Sequence, residues 1–200
     1  MDKIRFGIVG CGVISSWHAK AVTAAEDAEL VACCDIIPER AEKLAGEFNA
    51  PKVYTDYCEM MDSGEVDAVC VCTPSGMHGD VTIAAAERGK HVMCEKPIDI
   101  KLARIDEMIA ARKKNKVKLG VIFQRRTSPL WHKVKKTIDE GRLGKMVLGD
   151  AYLKYFRSQE YYDSGDWRGT WELDGGGALM NQGVHLIDIL RWIMGPVETI

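Results

Sequence analysis

The sequence predicts an α/β protein, with a Rossmann-type doubly wound parallel sheet followed by an α+β domain with an antiparallel sheet. Three observations lead to this prediction. Continuous apolar runs alternate with helical stretches over residues 1–124, as in a parallel sheet covered on both faces. A glycine-rich turn follows the first apolar run and opens a helix. The pattern changes near Gln124, so residues 125–200 are predicted to begin a second domain that is incomplete in this chain.

The first domain is predicted to contain six strands separated by helices. The strands are the apolar runs at residues 4–10, 29–35, 52–56, 66–74, 91–96 and 118–124. The helices are residues 13–25, 38–48, 80–89 and 100–115. Pro38 suits the first turn of its helix, and Gly89 suits a helix end.

The second domain is predicted to mix helices and strands. Residues 128–141 and 178–194 have helical patterns, whereas residues 146–158 alternate between apolar and polar side chains like a half-exposed strand. Residues 197–200 resemble the start of another strand. One long strand and a strand onset cannot make a stable sheet, so the chain is predicted to be a fragment of a longer one or to have a reduced second domain.

Composition narrows the class of protein. The chain has 200 residues, of which 46% are hydrophobic and 28% charged, with a formal net charge of −2. This balance predicts no nucleic-acid or membrane partner, and no apolar run is long enough to span a bilayer. The seven cysteines contain no C-x-x-C pair, so we expect buried thiols and no metal site. Together with the lack of a signal-peptide pattern, these features predict a cytoplasmic protein.

The glycine-rich turn is the first functional signal. Residues 10–15 read G-C-G-V-I-S, one step from the G-x-G-x-x-G fingerprint of dinucleotide-binding proteins. Gly10 would permit the tight turn, and Gly12 would let the backbone approach a pyrophosphate at the helix N-terminus. Ser15 replaces the third glycine and is small enough for helix–strand packing.

An acidic residue supports the dinucleotide reading. Asp35 ends the second strand, where a carboxylate would bind the ribose hydroxyls. It would repel a 2′-phosphate, so NAD is favoured over NADP, although Arg40 could reach the adenine or a phosphate. The alternative ligand is S-adenosylmethionine, which some doubly wound folds hold with a similar loop and acid.

The segment Glu95-Lys96-Pro97 is the second functional signal. It ends an apolar strand, and ligands of open α/β sheets bind outside the carboxyl ends of the strands. A lysine at this edge suits proton transfer to or from a ligand. The alternative is a surface ion pair that merely ends the strand.

The late helix and its neighbours supply further candidates. Asn181, His185 and Asp188 are spaced four and three residues apart, so one helix face would carry all three. Buried polar groups need partners, and a substrate hydroxyl is a plausible one. Trp167 and Arg168 precede the glycines that lead this helix. Arg125 and its neighbour Arg126 are candidates for a polar or anionic substrate group.

Four segments together resemble one family. They are residues 7–12 (GIVGCG), 72–78 (CTPSGMH), 89–97 (GKHVMCEKP) and 175–185 (GGGALMNQGVH). Their order and content resemble the Gfo/Idh/MocA family of NAD(P)-dependent oxidoreductases, named for glucose–fructose oxidoreductase and inositol dehydrogenase. The resemblance covers the whole chain. Family members usually continue well beyond this length, which favours the fragment interpretation.

The resemblance implies roles for individual residues. Lys96 would lie beside the nicotinamide and hydrogen-bond the hydroxyl that is oxidised. His185 would act with Lys96 in acid–base catalysis in the same cavity. The peptide bond before Pro97 would be cis. Asn181, where the family often has Asp, would position the substrate, and Ser75 stands where Asn is common. The cofactor contacts would be Gly10, Gly12, Val13, Ile14, Asp35, Arg40, Thr73, Pro74, Ser75, His78, Glu95, Lys96 and Gln124. The substrate contacts would be Lys96, Arg125, Trp167, Arg168, Asn181 and His185.

The function predicted from residues and resemblance is reversible hydride transfer between NAD and a secondary alcohol of a sugar, nucleotide sugar or cyclitol. One alternative is a family enzyme that uses bound NAD transiently for hydrolysis or epimerisation. Another is a non-catalytic NAD-binding regulator. The resemblance also implies a homo-oligomer, a dimer or tetramer, when the chain is full length.

Overall fold

The computed structural model describes residues 3–200. Within them the chain divides into two compact units, one ending at Val121 and the other spanning Ile122–Ile200. No helix within residues 3–200 is both long enough and apolar enough to cross a membrane.

The N-terminal unit is built on one six-stranded sheet. Its strands are β1 (Ile4–Val9), β2 (Ala28–Cys34), β3 (Lys52–Tyr54), β4 (Ala68–Val71), β5 (His91–Glu95) and β6 (Leu119–Ile122). They lie in the order β3-β2-β1-β4-β5-β6, and the pairs from β3 to β5 are parallel. The strand order reverses between β1 and β4, which is the switch point where ligands of such sheets bind. The predicted Rossmann-type fold is confirmed.

Helices connect these strands. They are α1 (Ser15–Ala24), α2 (Pro38–Phe48), α3 (Tyr57–Asp62), α4 (His78–Glu87) and α5 (Leu102–Lys114). The pattern analysis missed α3 because six residues are too few for helical periodicity to be visible. The Asp56 carboxylate caps this helix by accepting a hydrogen bond of 2.6 Å from the Cys58 N–H.

The core of this unit forms two layers, one on each face of the sheet. Neighbouring residues of a strand point to opposite faces, so Cys33 and Cys70 belong to one layer and Cys34 and Cys94 to the other. Five of the seven cysteines are buried, as predicted. Burial is the main reason that the pKa of the Cys34, Cys70 and Cys94 thiols is raised to about 12.

The C-terminal unit is helical. It contains a 3-10 turn at Gln124–Thr127, α6 (Pro129–Asp139), α7 (Gln159–Asp163), a π-helix at Ala178–Gly183 and α8 (Val184–Met194). The predicted single helix over 178–194 is therefore two segments of different pitch. Gln124, expected at the end of a strand, instead begins the 3-10 turn.

The predicted strands at 146–158 and 197–200 are wrong for the described chain, because neither segment has regular secondary structure. A strand needs a neighbour for its backbone hydrogen bonds, and residues 123–200 supply none. The alternating apolar side chains are therefore left in solvent. Val147 and Phe156 are 89% and 83% exposed, respectively.

Candidate active site

The glycine turn lies between the carboxyl ends of β1 and β4. Gly10 has a φ of +88°, and a Cβ on it would lie 2.7 Å from the Cys72 carbonyl carbon and 2.8 Å from the Thr73 nitrogen. Only glycine combines this backbone conformation with so close an approach. Gly10 is therefore required by the fold itself.

Gly12 has a different environment. A Cβ on Gly12 would meet no atom within 4 Å, so the space beside it is open. The Ser15 hydroxyl donates a 2.5 Å hydrogen bond to the Gly12 carbonyl and ties the turn to the start of α1. Val13 is 81% exposed, and Ile14 is half-buried. Open space at a helix N-terminus fits a pyrophosphate.

The carboxylate of Asp35 organises this turn. Its Oδ2 accepts a 2.7 Å hydrogen bond from the Cys11 N–H, and its Oδ1 accepts one of 2.9 Å from the Ile37 N–H. Each oxygen retains a second lone pair for a ribose hydroxyl. Ile36 and Arg40 are exposed beside it. Ile36 is not among the residues predicted from sequence, although an exposed apolar side chain next to this acid offers a surface for a flat base.

The segment after β4 is more buried than the sequence suggested. Pro74 is half-buried and Ser75 is buried at the start of a short 3-10 turn. The Thr73 Oγ1 is buried and has no hydrogen-bond partner within residues 3–200, and a bound ligand can satisfy such a group. His78 is 1% exposed, and its ring contacts the carbonyls of Thr73 and Pro97. The cofactor contact that the resemblance implied for His78 stays a prediction.

The Glu95-Lys96-Pro97 segment begins at the last residue of β5, at the same edge of the sheet. The Lys96–Pro97 bond is cis, as predicted. Glu95 is buried, its Oε1 is 2.9 Å from His18 Nε2, and its Oε2 accepts a 3.1 Å hydrogen bond from the Lys96 N–H. Burial alone would raise the pKa of Glu95, but His18 and Lys96 outweigh it and hold that pKa below its usual value. Glu95 therefore contacts protein partners on both oxygens, and the cofactor contact that the resemblance implied stays a prediction.

In the C-terminal unit a buried acid holds Asn181. Asp174 is 2% exposed, and its Oδ1 accepts a 3.0 Å hydrogen bond from the Asn181 Nδ2. Its Oδ2 accepts one of 2.8 Å from the Gly169 N–H. Asp174 thus joins the loop that carries Arg168 to the π-helix. The sequence analysis missed Asp174, because an acid in a polar loop gives no sign that it is buried.

His185 is the second residue of α8 and is buried at 7% exposure. Its ring packs edge-on against Phe123, with centroids 6.4 Å apart. Asp188, expected on the same face, accepts two 2.7 Å hydrogen bonds from Arg126. Arg126 is therefore occupied by an internal ion pair, which leaves Arg125 as the better candidate of the two for an anionic ligand.

Three arginines of this unit are joined by aromatic rings. Arg125 donates a 2.6 Å hydrogen bond to the Tyr155 hydroxyl, and Arg168 donates one of 2.9 Å to the Tyr161 hydroxyl. Arg157 lies against both tyrosine rings, and Arg168 also lies 4.8 Å from the Trp167 ring. We call Arg125, Arg157 and Arg168 the arginine cluster. Within residues 3–200 none of the three has a carboxylate in ion-pair range.

Replacing Asp174 by alanine should destabilise the C-terminal unit by about 2–4 kcal/mol, because this buried carboxylate is the acceptor for two part-buried donors. Each donor that loses its acceptor costs about 1–2 kcal/mol, the lower part of the range for buried groups. Urea denaturation measures this change. Asp163→Ala is the matched control, because its carboxylate is exposed and accepts one hydrogen bond from Gln159. Equal stability of the two variants would contradict the role given to Asp174.

Two family profiles match this chain and together establish the protein family to which it belongs. Residues 4–123 match the profile described as "Oxidoreductase family, NAD-binding Rossmann fold", and residues 131–200 match the GFO/IDH/MocA C-terminal domain. The chain belongs to the GFO/IDH/MocA family. This confirms the family predicted from the four segments, and it identifies NAD as the dinucleotide for the N-terminal unit.

Relatives of this GFO/IDH/MocA chain include several dehydrogenases. It is 32% identical to the myo-inositol 2-dehydrogenase of Thermotoga maritima, over 96% of this chain and 55% of the relative. It is 34% identical to the scyllo-inositol 2-dehydrogenase (NAD(+)) of Bacillus subtilis, over 98% of this chain and 56% of the relative. The chain spans about half the length of the curated relatives it matches.

A solved structure is similar to this GFO/IDH/MocA chain over nearly its full length. It is the WlbA dehydrogenase from Bordetella pertussis in complex with NADH and UDP-GlcNAcA, with a TM-score of 0.91 and 40% identity. The match covers 98% of this chain and 60% of the WlbA chain.

Proposed function

We propose that this protein is an NAD-dependent dehydrogenase that oxidises a secondary alcohol of a nucleotide sugar carrying an anionic group. The main support is the arrangement within the N-terminal unit. The glycine turn after β1, the unpartnered Thr73 hydroxyl after β4 and Lys96 after β5 follow three adjacent strands at one edge of the sheet. A dinucleotide bound at the turn would therefore lie along the edge that carries the lysine.

The residues have separate tasks in this proposal. When bound, NAD supplies a nicotinamide ring that accepts the hydride of the carbinol carbon. The Lys96 ammonium hydrogen-bonds the oxygen of the hydroxyl being oxidised. The family resemblance is the support for assigning to His185 the proton that this hydroxyl loses, and to Asn181, whose amide is held by Asp174, the orientation of the substrate.

The substrate class is inferred from the arginine cluster. Three guanidinium groups without a carboxylate partner in the described chain suit a ligand that brings negative charge, and an uncharged inositol brings none. The Nε of Arg168 is also buried without a hydrogen-bond partner in residues 3–200. The WlbA proteins from Bordetella pertussis and Chromobacterium violaceum were crystallised with UDP-GlcNAcA, and they are 40% and 38% identical to this chain.

A substrate comparison tests the proposal. The full-length protein is incubated with NAD and either UDP-GlcNAcA, UDP-GlcNAc, myo-inositol or scyllo-inositol, and NADH is followed by absorbance. We expect kcat/KM for UDP-GlcNAcA to exceed that for either inositol by about 100-fold or more. Faster oxidation of an inositol would overturn the substrate class.

The same incubations separate the alternatives when substrate conversion is followed by chromatography and NAD binding by calorimetry. Substrate conversion without net NADH would indicate transient use of NAD for hydrolysis or epimerisation. NAD binding without conversion of any substrate would indicate a regulator. The homo-oligomeric state and the cytoplasmic location stay predictions.

Replacing Arg168 by methionine should raise KM for UDP-GlcNAcA by about 10- to 100-fold, because a charge-assisted contact contributes about 1.5–3 kcal/mol. The dissociation constant for NAD should not change. Arg142→Met is the matched control, since Arg142 is exposed and pairs with Glu140 in the same unit. Steady-state kinetics and calorimetry measure both constants, and an unchanged KM would argue against the arginine cluster as the anion site.

A further inference from the structure

Buried histidines from two different helices contact the residues on either side of Lys96. His18, from α1, lies 2.9 Å from the Glu95 carboxylate. His78, the first residue of α4, lies 2.7 Å from the Pro97 carbonyl oxygen. The two histidines are 7% and 1% exposed, so solvent does not compete for these contacts.

His18 and the backbone of Lys96 each engage one oxygen of the Glu95 carboxylate. One oxygen of Glu95 faces the His18 Nε2, and the other accepts the Lys96 backbone N–H. Because the pKa of Glu95 is held below its usual value, this carboxylate is ionised at neutral pH, and the His18 Nε2–H donates a hydrogen bond to it. The side chain of Glu95 is thereby fixed and in turn fixes the backbone of Lys96.

The His78 contact holds the opposite side. Its Nδ1 faces the Pro97 carbonyl, and its Nε2 lies 2.9 Å from the Thr73 carbonyl at the end of β4. Burial is the main cause of a lowered pKa for His78, so the ring is neutral near pH 7 and has a single N–H. We assign this N–H to Nδ1, which donates to the nearer carbonyl, that of Pro97, so the Thr73 contact is one of packing. The ring packs the turn that follows β5 against the end of β4.

We propose that His18 and His78 are positioning residues that fix the backbone from which Lys96 acts. This inference rests on the proposed function of Lys96. Neither histidine needs to touch the substrate. Their loss should lower the rate of the chemical step, whereas NAD binding at the glycine turn should change little, since no hydrogen bond within residues 3–200 joins either ring to Gly10, Gly12 or Asp35.

The kinetic test uses His18→Ala, His18→Gln and the full-length protein. We expect His18→Ala to lower kcat about 30-fold or more with a dissociation constant for NAD within about threefold of the wild type. Glutamine can place an N–H near the Nε2 position, so His18→Gln should recover kcat to within about fivefold. His78→Ala and His78→Asn form the corresponding pair for the Pro97 carbonyl.

His91→Ala is the matched control. His91 lies at the other end of β5, where its Nδ1 accepts a 3.1 Å hydrogen bond from the Lys118 N–H. This variant also removes a histidine contact to the backbone, but it should leave kcat within about twofold. A kcat for His18→Ala within threefold of the wild type would overturn the inference.

A second readout does not depend on activity. Hydrogen exchange of the Lys96 amide, which donates to Glu95, should be at least about tenfold faster in folded His18→Ala than in the wild type or His91→Ala. Unchanged exchange would overturn the positioning role. If the exchange rises but the wild type oxidises no substrate, the positioning role stands and the proposed function fails.

Discussion

Replacing Lys96 by alanine is expected to lower kcat about 1,000-fold, which corresponds to about 4 kcal/mol in the activation barrier. In the proposed function the Lys96 ammonium hydrogen-bonds the oxygen that loses its proton. Groups in this role typically accelerate a reaction by about 100- to 10,000-fold. The dissociation constant for NAD should stay within about threefold, because the glycine turn and Asp35 are unchanged. Single-turnover NADH formation and calorimetry measure the two effects.

Lys114→Ala is the control for the lysine experiment, since Lys114 is an exposed residue in the last turn of α5. It should have wild-type kinetics. A Lys96→Ala enzyme with kcat within threefold of the wild type would show that the lysine has no part in the chemical step.

Gly10→Ala and Gly12→Ala should affect different properties, stability and NAD affinity respectively, although the two glycines are only two residues apart. Gly10→Ala should lower the free energy of unfolding by about 3 kcal/mol or more, since it combines left-handed backbone strain with overpacking against the backbone of Cys72 and Thr73. Gly12→Ala should change it by less than about 0.5 kcal/mol, because its Cβ would enter open space.

Ligand affinity should follow the reverse order of the stability losses. The methyl group of Gly12→Ala occupies the space proposed for the pyrophosphate, so NAD affinity should fall about 30-fold or more in a folded protein. Urea denaturation and calorimetry measure the two quantities. A Gly10→Ala variant as stable as the wild type, or a Gly12→Ala variant that binds NAD normally, would each refute the corresponding half of this prediction.

The parallel sheet could be predicted because local patterns specify it. Residues such as Ile8 and Val9 are both apolar since each faces one of two covered layers. The strand at 146–158 could not be judged in the same way. Its alternating pattern is real, but forming a strand depends on a partner strand that residues 123–200 do not contain.

The candidate site could likewise be predicted only where a local motif marks it. Glycines and the Glu95-Lys96-Pro97 segment are short motifs that a sequence displays directly. The contact between His18 and Glu95 joins residues 77 positions apart, and no local pattern reports such a pairing. The burial of Asp174 likewise depends on the fold around it.

The cysteines of the two core layers have a practical consequence for following the protein's motions. Thiol-labelling reagents attack the thiolate, and a thiol with a pKa of about 12 is almost never ionised at neutral pH. Labelling of Cys70 therefore requires one face of the sheet to open, and labelling of Cys34 or Cys94 requires the other. The labelling rates of these native cysteines, measured by mass spectrometry, would therefore report the opening rate of each face separately, without any engineered probe.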